Sequence, residues 1–139
     1  MGRQHVRDGI LSIRQQKTGT LVEIPILPEL REALDAMPAA HLTFLTTEYG
    51  QPFTAAGFGN WFRQCCDEAG IPKGYAAHGL RKAAATRLAE VGCTDHQIMA
   101  WGGWKTLKEV TRYTEAANRK RLARSAAEKL ETGTMSGKP

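Results

Sequence analysis

Two short runs rich in β-branched residues lie near the start of the chain, and most of the chain after them has hydrophobic residues at three- and four-residue intervals. The runs span residues 10–14 (ILSIR) and 21–26 (LVEIPI), and Gly19 between them suits a turn. They predict a β-hairpin over residues 10–26, preceded by a turn at Asp8-Gly9. The rest of the pattern predicts helices, so we expect a mainly α fold with a small β-hairpin or sheet.

Capping residues delimit the first two predicted helices. One covers about 28–37 and is closed by Pro38, and its apolar face is expected to pack. The other covers about 55–69, with Thr54 as its N-cap and Gly70 as its stop. We predict that this second helix is part of the core, because aromatic and small apolar side chains recur along it at helical spacing: Phe58, Trp61, Phe62, Cys65 and Ala69.

The next predicted helix covers about 79–91 and ends at Gly92. Its spacing predicts an inward face, followed by a short helix over about 94–101 that opens with the capping box Thr94 and Gln97. The predicted inward residues of the helix over 79–91 are Leu80, Ala84, Leu88 and Val91.

A second capping box, Thr106 with Glu109, predicts a helix over about 106–117. On this helix Val110 and Tyr113 share a face. The chain then becomes charged and rich in alanine, which predicts a last helix over about 118–131 and a disordered tail over 132–139. The whole of 1–131 is expected to form one domain.

Composition narrows the class of protein. The 139 residues are 42% hydrophobic and 24% charged, and no apolar run approaches the roughly 20 residues of a membrane span. The first residues lack the pattern of a secretory leader, so secretion is not expected. The three cysteines (Cys65, Cys66 and Cys93) predict reduced thiols rather than disulfides or a metal site. The net charge of +5 favours a polyanionic partner such as nucleic acid, although a basic excess is also common in proteins that bind none.

Candidate chemistry is concentrated between residues 78 and 113. His78 and Arg81 lie three residues apart at the start of a predicted helix, so both side chains can face one anion. Trp104 follows a break at Gly102-Gly103, and Tyr113 lies nine residues beyond it.

This order of residues, with H-x-x-R, then Gly followed by Trp, then Tyr nine residues later, resembles the C-terminal half of the catalytic domain of tyrosine recombinases, the phage-type integrases. The helix pattern and the hairpin ahead of it also resemble that family, so the likeness covers nearly the whole chain. It implies site-specific DNA recombination or integration, for a phage or mobile element, by cleavage and rejoining through a 3′-phosphotyrosine intermediate. The related topoisomerase I chemistry uses a similar constellation, but the short hairpin-to-tyrosine layout favours an integrase.

The resemblance implies a role for each matching residue. Tyr113 would be the nucleophile, and Arg81 would be the fork that binds two phosphate oxygens. His78 and Trp104 would donate hydrogen bonds to the phosphate, and Lys17, from the hairpin, would protonate the departing 5′-oxygen. The resemblance implies neither a metal nor a cofactor. Taken singly, each residue also has an ordinary structural explanation: a helix cap, a solvated charge or a core aromatic.

One element of the family pattern is missing. Such recombinases carry another arginine ahead of the hairpin, in a T-G-x-R helix start, and Arg3 stands in no such motif. The family pattern also includes an N-terminal domain that clamps DNA, which we expect this chain to lack. The resemblance therefore implies an N-terminally truncated catalytic domain with weak or no recombination activity by itself, whether through an engineered truncation, proteolysis or gene decay.

Partners follow from the same resemblance: double-stranded DNA and, in the intact parent, a tetramer on DNA with exchange of the C-terminal segment, in the bacterial cytoplasm and without a membrane. Alternatives are a DNA-binding module without chemistry, a degenerate integrase fragment, and a structural helical interaction domain. A solvated helix face would explain the basic residues equally well. The expected DNA-binding residues are Lys82, Lys105, Arg112, Arg119, Lys120, Arg121 and Arg124, and the stripe expected to exchange is Leu122, Ala126 and Leu130.

Overall fold

Five α-helices and a three-stranded antiparallel sheet form the chain in the computed structural model, which describes residues 1–135. This is the predicted mainly α fold with a small sheet. A single 3-10 turn, Arg3–His5, precedes the first strand. The strands are β1 (Val6–Arg7), β2 (Ile10–Arg14) and β3 (Leu21–Pro25), and the helices are α1 (Pro28–Asp35), α2 (Ala55–Glu68), α3 (Ala77–Glu90), α4 (Asp95–Gly102) and α5 (Leu107–Met135).

The chain divides into two compact units, Met1–Gly79 and Leu80–Pro139, where one domain was expected. The division falls within the first turn of α3. The first unit holds the sheet, α1 and α2. The second holds most of α3, together with α4 and α5.

The sheet in the first unit contains the predicted hairpin and one strand more. β2 and β3 pair with Arg14 opposite Leu21. β1 adds to β2 through a turn at Asp8-Gly9, whose φ angles of 48° and 75° are those of the type I′ turn favoured by this residue pair. Leu11 and Val22 are buried. They belong to one face of the sheet, which therefore faces the core of this unit.

The two helices of the first unit are close to their predicted bounds. In α1 only Leu34 of the predicted apolar face is buried, and the helix ends two residues earlier than expected. The Thr54 side chain caps α2 by accepting from the Gly57 N–H at 3.0 Å, as predicted. Cys66 is the buried residue of α2, whereas Trp61 and Ala69 of its predicted core face are exposed. An aromatic cluster joins Phe53, just before α2, to residues of the helix, with Phe53–Trp61 centroids 5.1 Å apart. The cluster consists of Phe53, Phe58, Trp61 and Phe62.

The buried face of α3 differs in part from the predicted one. Leu88 packs against the core as predicted, but Ala84 is exposed. Leu80 and Val91 are 61% and 72% exposed, whereas Ala85 and Ala89 are completely buried. The buried face is thus rotated by about one residue, or roughly 100° around the helix. Alanine has too small a side chain to mark a core face by hydrophobicity, but it lets neighbouring helices approach closely. The core cluster of the second unit consists of Ala85, Ala89, Ile98 and Val110.

Two capping boxes start α4 and α5, as predicted. The Thr94 hydroxyl accepts from the Gln97 N–H, and the Gln97 side chain accepts from the Thr94 N–H at 2.7 Å. Thr106 and Glu109 exchange the same pair of bonds ahead of α5, at 3.2 and 3.4 Å.

One continuous helix replaces the two helices predicted over 106–117 and 118–131, and residues 132–135, predicted as part of the tail, continue it. Good helix formers such as Ala, Arg, Lys and Glu follow Asn118 without a proline, so nothing local ends the helix there. The remainder of the predicted tail, 136–139, lies outside the described residues. Along the described chain no helix is both long enough and apolar enough to cross a membrane, because α5, although long, is highly charged.

Candidate active site

Arg81 is held in place by its neighbours on α4 and the loop after it. Its Nη2 donates to the Gly102 carbonyl at 2.8 Å, and its Cζ lies 4.6 Å from the centroid of the Trp104 ring. Such stacking combines cation–π attraction with a fixed orientation of the planar guanidinium. The Nε atom is buried and has no hydrogen-bond partner. The guanidinium therefore keeps N–H donors that the protein does not use.

Trp104 supplies the surface on which Arg81 stacks. The chain leaves α4 at Gly103, which has a left-handed conformation, and the Trp104 N–H then donates to the Met99 carbonyl. A Cβ atom on Gly102 would overlap the Trp104 indole ring, so glycine is required there for close approach. Trp104 itself packs against the buried cluster of the second unit.

Tyr113 lies on α5 next to Trp104. The two ring centroids are 6.2 Å apart, with an interplanar angle of 45°. The ring is half-buried, and Lys82 Nζ lies 5.7 Å from its centroid. The Tyr113 carbonyl accepts from the Thr86 hydroxyl at 2.9 Å. Val110, which shares the Tyr113 face as predicted, is completely buried and holds this part of α5 in the core.

Three of the five residues with predicted chemical roles therefore form one cluster in the second unit: Arg81, Trp104 and Tyr113. His78, on the first turn of α3, and Lys17, in the loop between β2 and β3, are exposed and belong to the first unit. Their approach to the cluster stays a prediction.

Arg3 has a structural contact that accounts for its side chain. Its Nη2 donates to the carbonyls of Leu34 and Met37 at 3.2 and 2.9 Å, at the C-terminal end of α1. Helix C-termini leave carbonyls without partners, and a guanidinium satisfies them well. Arg3 therefore caps α1, in agreement with its lack of the family's arginine motif.

The predicted DNA-binding residues differ in their surroundings. Lys82, Lys105 and Arg112 are exposed, and Arg119 is exposed in an ion pair with Glu115 at 2.6 Å. The other three line an open cavity of about 280 Å³ together with Glu90 and Ala117. These three residues are Lys120, Arg121 and Arg124, and the Nε of Arg121 is buried without a hydrogen-bond partner.

Sequence reasoning did not identify two residues that hold this cluster. Gly102 provides the acceptor for Arg81, and Thr86 provides the donor to Tyr113. Neither residue type indicates such a contact, since both depend on how the helices pack. Across residues 1–135, no group of three His, Cys, Asp or Glu side chains lies close enough to hold a metal ion.

Comparison with known families gives a match over residues 2–120, to the model described as the phage integrase family. The chain belongs to the phage integrase family. No curated protein sequence matches it.

Solved structures with the same fold include recombinases. The chain is similar to XerA recombinase, with a TM-score of 0.71 and 19% identity over 90% of this chain and 50% of that one. It is also similar to a lambda integrase dimer bound to a COC′ core site, with a TM-score of 0.69 and 20% identity over 81% and 44% of the two chains. The Tn1549 transposon integrase, in complex with circular intermediate DNA, gives a TM-score of 0.65 and 16% identity over 89% and 53%. This phage integrase family chain thus spans about half the length of each of these proteins.

Proposed function

We propose that this chain is the C-terminal part of the catalytic domain of a tyrosine-type site-specific recombinase. The observation that carries the proposal is the stack of Arg81 on Trp104 beside Tyr113, because it gathers a phosphate fork, an indole donor and a hydroxyl nucleophile in one cluster. Membership of the phage integrase family supports the same reaction.

The proposed chemistry balances without an energy source. The Tyr113 oxygen attacks a DNA phosphorus, a phosphotyrosine bond forms, and the bond from phosphorus to the 5′-oxygen breaks. The tyrosine proton goes to His78 or solvent, and Lys17 gives a proton to the departing oxygen. Rejoining is the reverse attack. Arg81 and the indole N–H of Trp104 stabilise the charge on the non-bridging oxygens of the crowded phosphate.

Catalysis by this chain alone is expected to be weak or absent. The second arginine of the phosphate clamp is missing, and Arg3 does not replace it because it caps α1. Removing one such donor typically lowers the rate by about two to three orders of magnitude.

Double-stranded DNA and further copies of the recombinase are the proposed partners, in the cytoplasm of a bacterium that carries a phage or mobile element. Structures of a lambda integrase dimer on a core site and of the Tn1549 integrase with DNA support both partners. Exchange of the C-terminal segment is supported by the exposure of the stripe on α5, since Leu122 and Leu130 are 56% and 72% exposed and Ala126 is also exposed.

A DNA-binding module without chemistry is the second candidate. It is favoured by the use of Arg3 as a helix cap, which leaves Arg81 as the only arginine of the proposed clamp that the described residues supply. Basic residues on α5 would then follow DNA phosphates without cleavage.

Covalent trapping distinguishes the two candidates. The chain, and a version extended upstream to restore an arginine-bearing motif, are incubated with nicked duplexes of randomised sequence, and adducts are separated on denaturing gels. We expect an adduct that requires Tyr113, is lost in Tyr113→Phe and is about 100-fold or more stronger in the extended version. Tyr49→Phe, at a tyrosine that is 80% exposed, serves as the control and should leave the adduct unchanged.

An adduct that persists in Tyr113→Phe would assign the nucleophile elsewhere. DNA binding without an adduct from either version would select the non-catalytic module.

A further inference from the structure

The Thr86 hydroxyl joins the two helices that carry the candidate site. It donates to the Tyr113 carbonyl at 2.9 Å and also lies 3.2 Å from the Lys82 carbonyl, one turn earlier on its own helix. The bond to Tyr113 connects α3 to α5 across 27 positions of sequence. It meets α5 at the one residue for which we propose a nucleophilic role.

Neither group needs this bond to satisfy its hydrogen-bonding capacity. A threonine inside a helix commonly donates to the carbonyl four residues earlier, which for Thr86 is that of Lys82. The Tyr113 carbonyl, inside α5, already accepts from the backbone N–H four residues later. The additional bond is therefore not needed to satisfy a buried polar group. Its effect is to fix the position of α3 relative to α5.

The position of α3 relative to α5 determines how far Tyr113, the proposed nucleophile, lies from Arg81, the proposed phosphate ligand. Arg81 and Thr86 are five residues apart on α3, a rise of about 7.5 Å along a rigid helix. Lys82, on the same helix, also lies over the Tyr113 ring. Helix α3 thus carries Arg81, the proposed phosphate ligand. Through Thr86 it also contacts the backbone of Tyr113, the proposed nucleophile.

We propose that Thr86 is a positioning residue, which pins the Tyr113 backbone to α3 and so sets the reach of the tyrosine hydroxyl toward a phosphate held by Arg81. The inference rests on the proposed recombinase function. Misplacement of a reacting atom by about 1 Å can cost about 100-fold in rate, so a single hydrogen bond at this position has a large kinetic effect.

Threonine allows a clean substitution. Thr86→Val keeps the shape and removes the hydroxyl, and it leaves no orphaned partner because both carbonyls lie within helices. Thr86→Ser keeps the hydroxyl and removes a methyl group. Thr111→Val is the matched control, since Thr111 is exposed on α5 and its hydroxyl donates to the Leu107 carbonyl within that helix.

Two measurements test the proposal. In the chain itself, amide hydrogen exchange followed by NMR should quicken about five-fold at residues 113–117 in Thr86→Val and remain near the original rate in Thr86→Ser and Thr111→Val. On the nicked duplexes, the single-turnover rate of adduct formation at saturating DNA should fall about ten-fold or more in Thr86→Val, with DNA affinity unchanged and with Thr86→Ser near the original rate.

Unchanged exchange at residues 113–117, or an adduct rate in Thr86→Val equal to that of the unmodified protein, would overturn the proposal. If Thr86→Val does not fold, Thr86→Ala removes the same hydroxyl without placing a methyl group in its position and is subject to the same criteria. If the unmodified chain and its extended version give no adduct, the proposed function fails, and the positioning role fails with it even where the exchange result shows the pin to be present.

Discussion

Glycine at position 102 leaves room for the indole ring of Trp104, and this room determines where the ring lies. The ring occupies the volume that a side chain on residue 102 would need. The carbonyl of the same glycine accepts a hydrogen bond from Arg81, and the Arg81 guanidinium stacks on the Trp104 ring. One small residue therefore fixes both partners of the stack.

Gly102→Ala is expected to destabilise the protein by about 1–3 kcal/mol, because the new methyl group must displace a packed aromatic ring. Chemical denaturation measures the change, and a shifted indole N–H resonance of Trp104 would show that the ring has moved. Gly59→Ala is the control: Gly59 lies inside α2 with no atom within 4 Å of the added Cβ, so the same substitution should stabilise by about 0.5–1 kcal/mol. Equal effects of the two substitutions would contradict the close approach.

Arg3 and Arg81 are the same residue type, but their guanidinium groups differ in how many hydrogen bonds they make within the protein. Arg3 donates to carbonyls at the end of α1, whereas Arg81 uses Nη2 on Gly102 and keeps a buried Nε without a partner. A buried N–H donor without a partner is unfavourable in the free protein. The availability of the donor, rather than the presence of an arginine, makes Arg81 the candidate phosphate ligand.

At the scale of elements, α5 has two halves with different surroundings. Val110 and Thr114 in the first half are completely buried, and Tyr113 and Ala117 pack against the same core. In the second half Leu122 and Leu130 are mostly exposed. Packing stabilises the first half, and local helix propensity sustains the second.

Deletion of residues 125–139 is therefore expected to change the free energy of unfolding by less than about 0.5 kcal/mol, since it removes no buried side chain of the described residues. Urea denaturation measures this, and the far-UV circular dichroism signal should fall with the lost helix. Val110→Ala, in the first half, should cost about 2 kcal/mol because it opens a cavity in the core. A deletion as costly as Val110→Ala would mean that the second half is packed in solution.

The net charge of +5 belongs to the whole chain, but the positions of the cationic side chains decide which of them can contact DNA phosphates. Lys120, Arg121 and Arg124 are gathered around one open cavity with Glu90, and Arg112 and Arg119 are exposed elsewhere on the same helix. Cations that contact phosphates release counterions, so binding through them depends steeply on salt.

We predict that the double variant Lys120→Gln/Arg124→Gln lowers the slope of log affinity for duplex DNA against log salt concentration by about 2. Fluorescence anisotropy at several salt concentrations measures the slope. Arg31→Gln/Lys73→Gln removes the same charge from exposed positions of the first unit and should leave the slope nearly unchanged. Equal reductions in both double variants would indicate that net charge, rather than this surface, controls binding.

The sequence alone determined the features that depend on neighbours along the chain. The hairpin, the N-cap at Thr54 and both capping boxes follow from local geometry, and so do the stops after α2 and α3 at Gly70 and Gly92. The order and spacing of Arg81, Trp104 and Tyr113 also indicated the family before any contact was known.

Which residues face one another depends on how the helices pack in three dimensions. The Ala85 and Ala89 face of α3 is buried although Leu80 and Val91 are more hydrophobic. The uninterrupted α5 shows that a change of composition at Asn118 does not end a helix by itself. The hydrogen bonds from Arg81 to Gly102 and from Thr86 to Tyr113 join residues 21 and 27 positions apart, and no local pattern encodes such contacts because they arise from the packing of α3, α4 and α5.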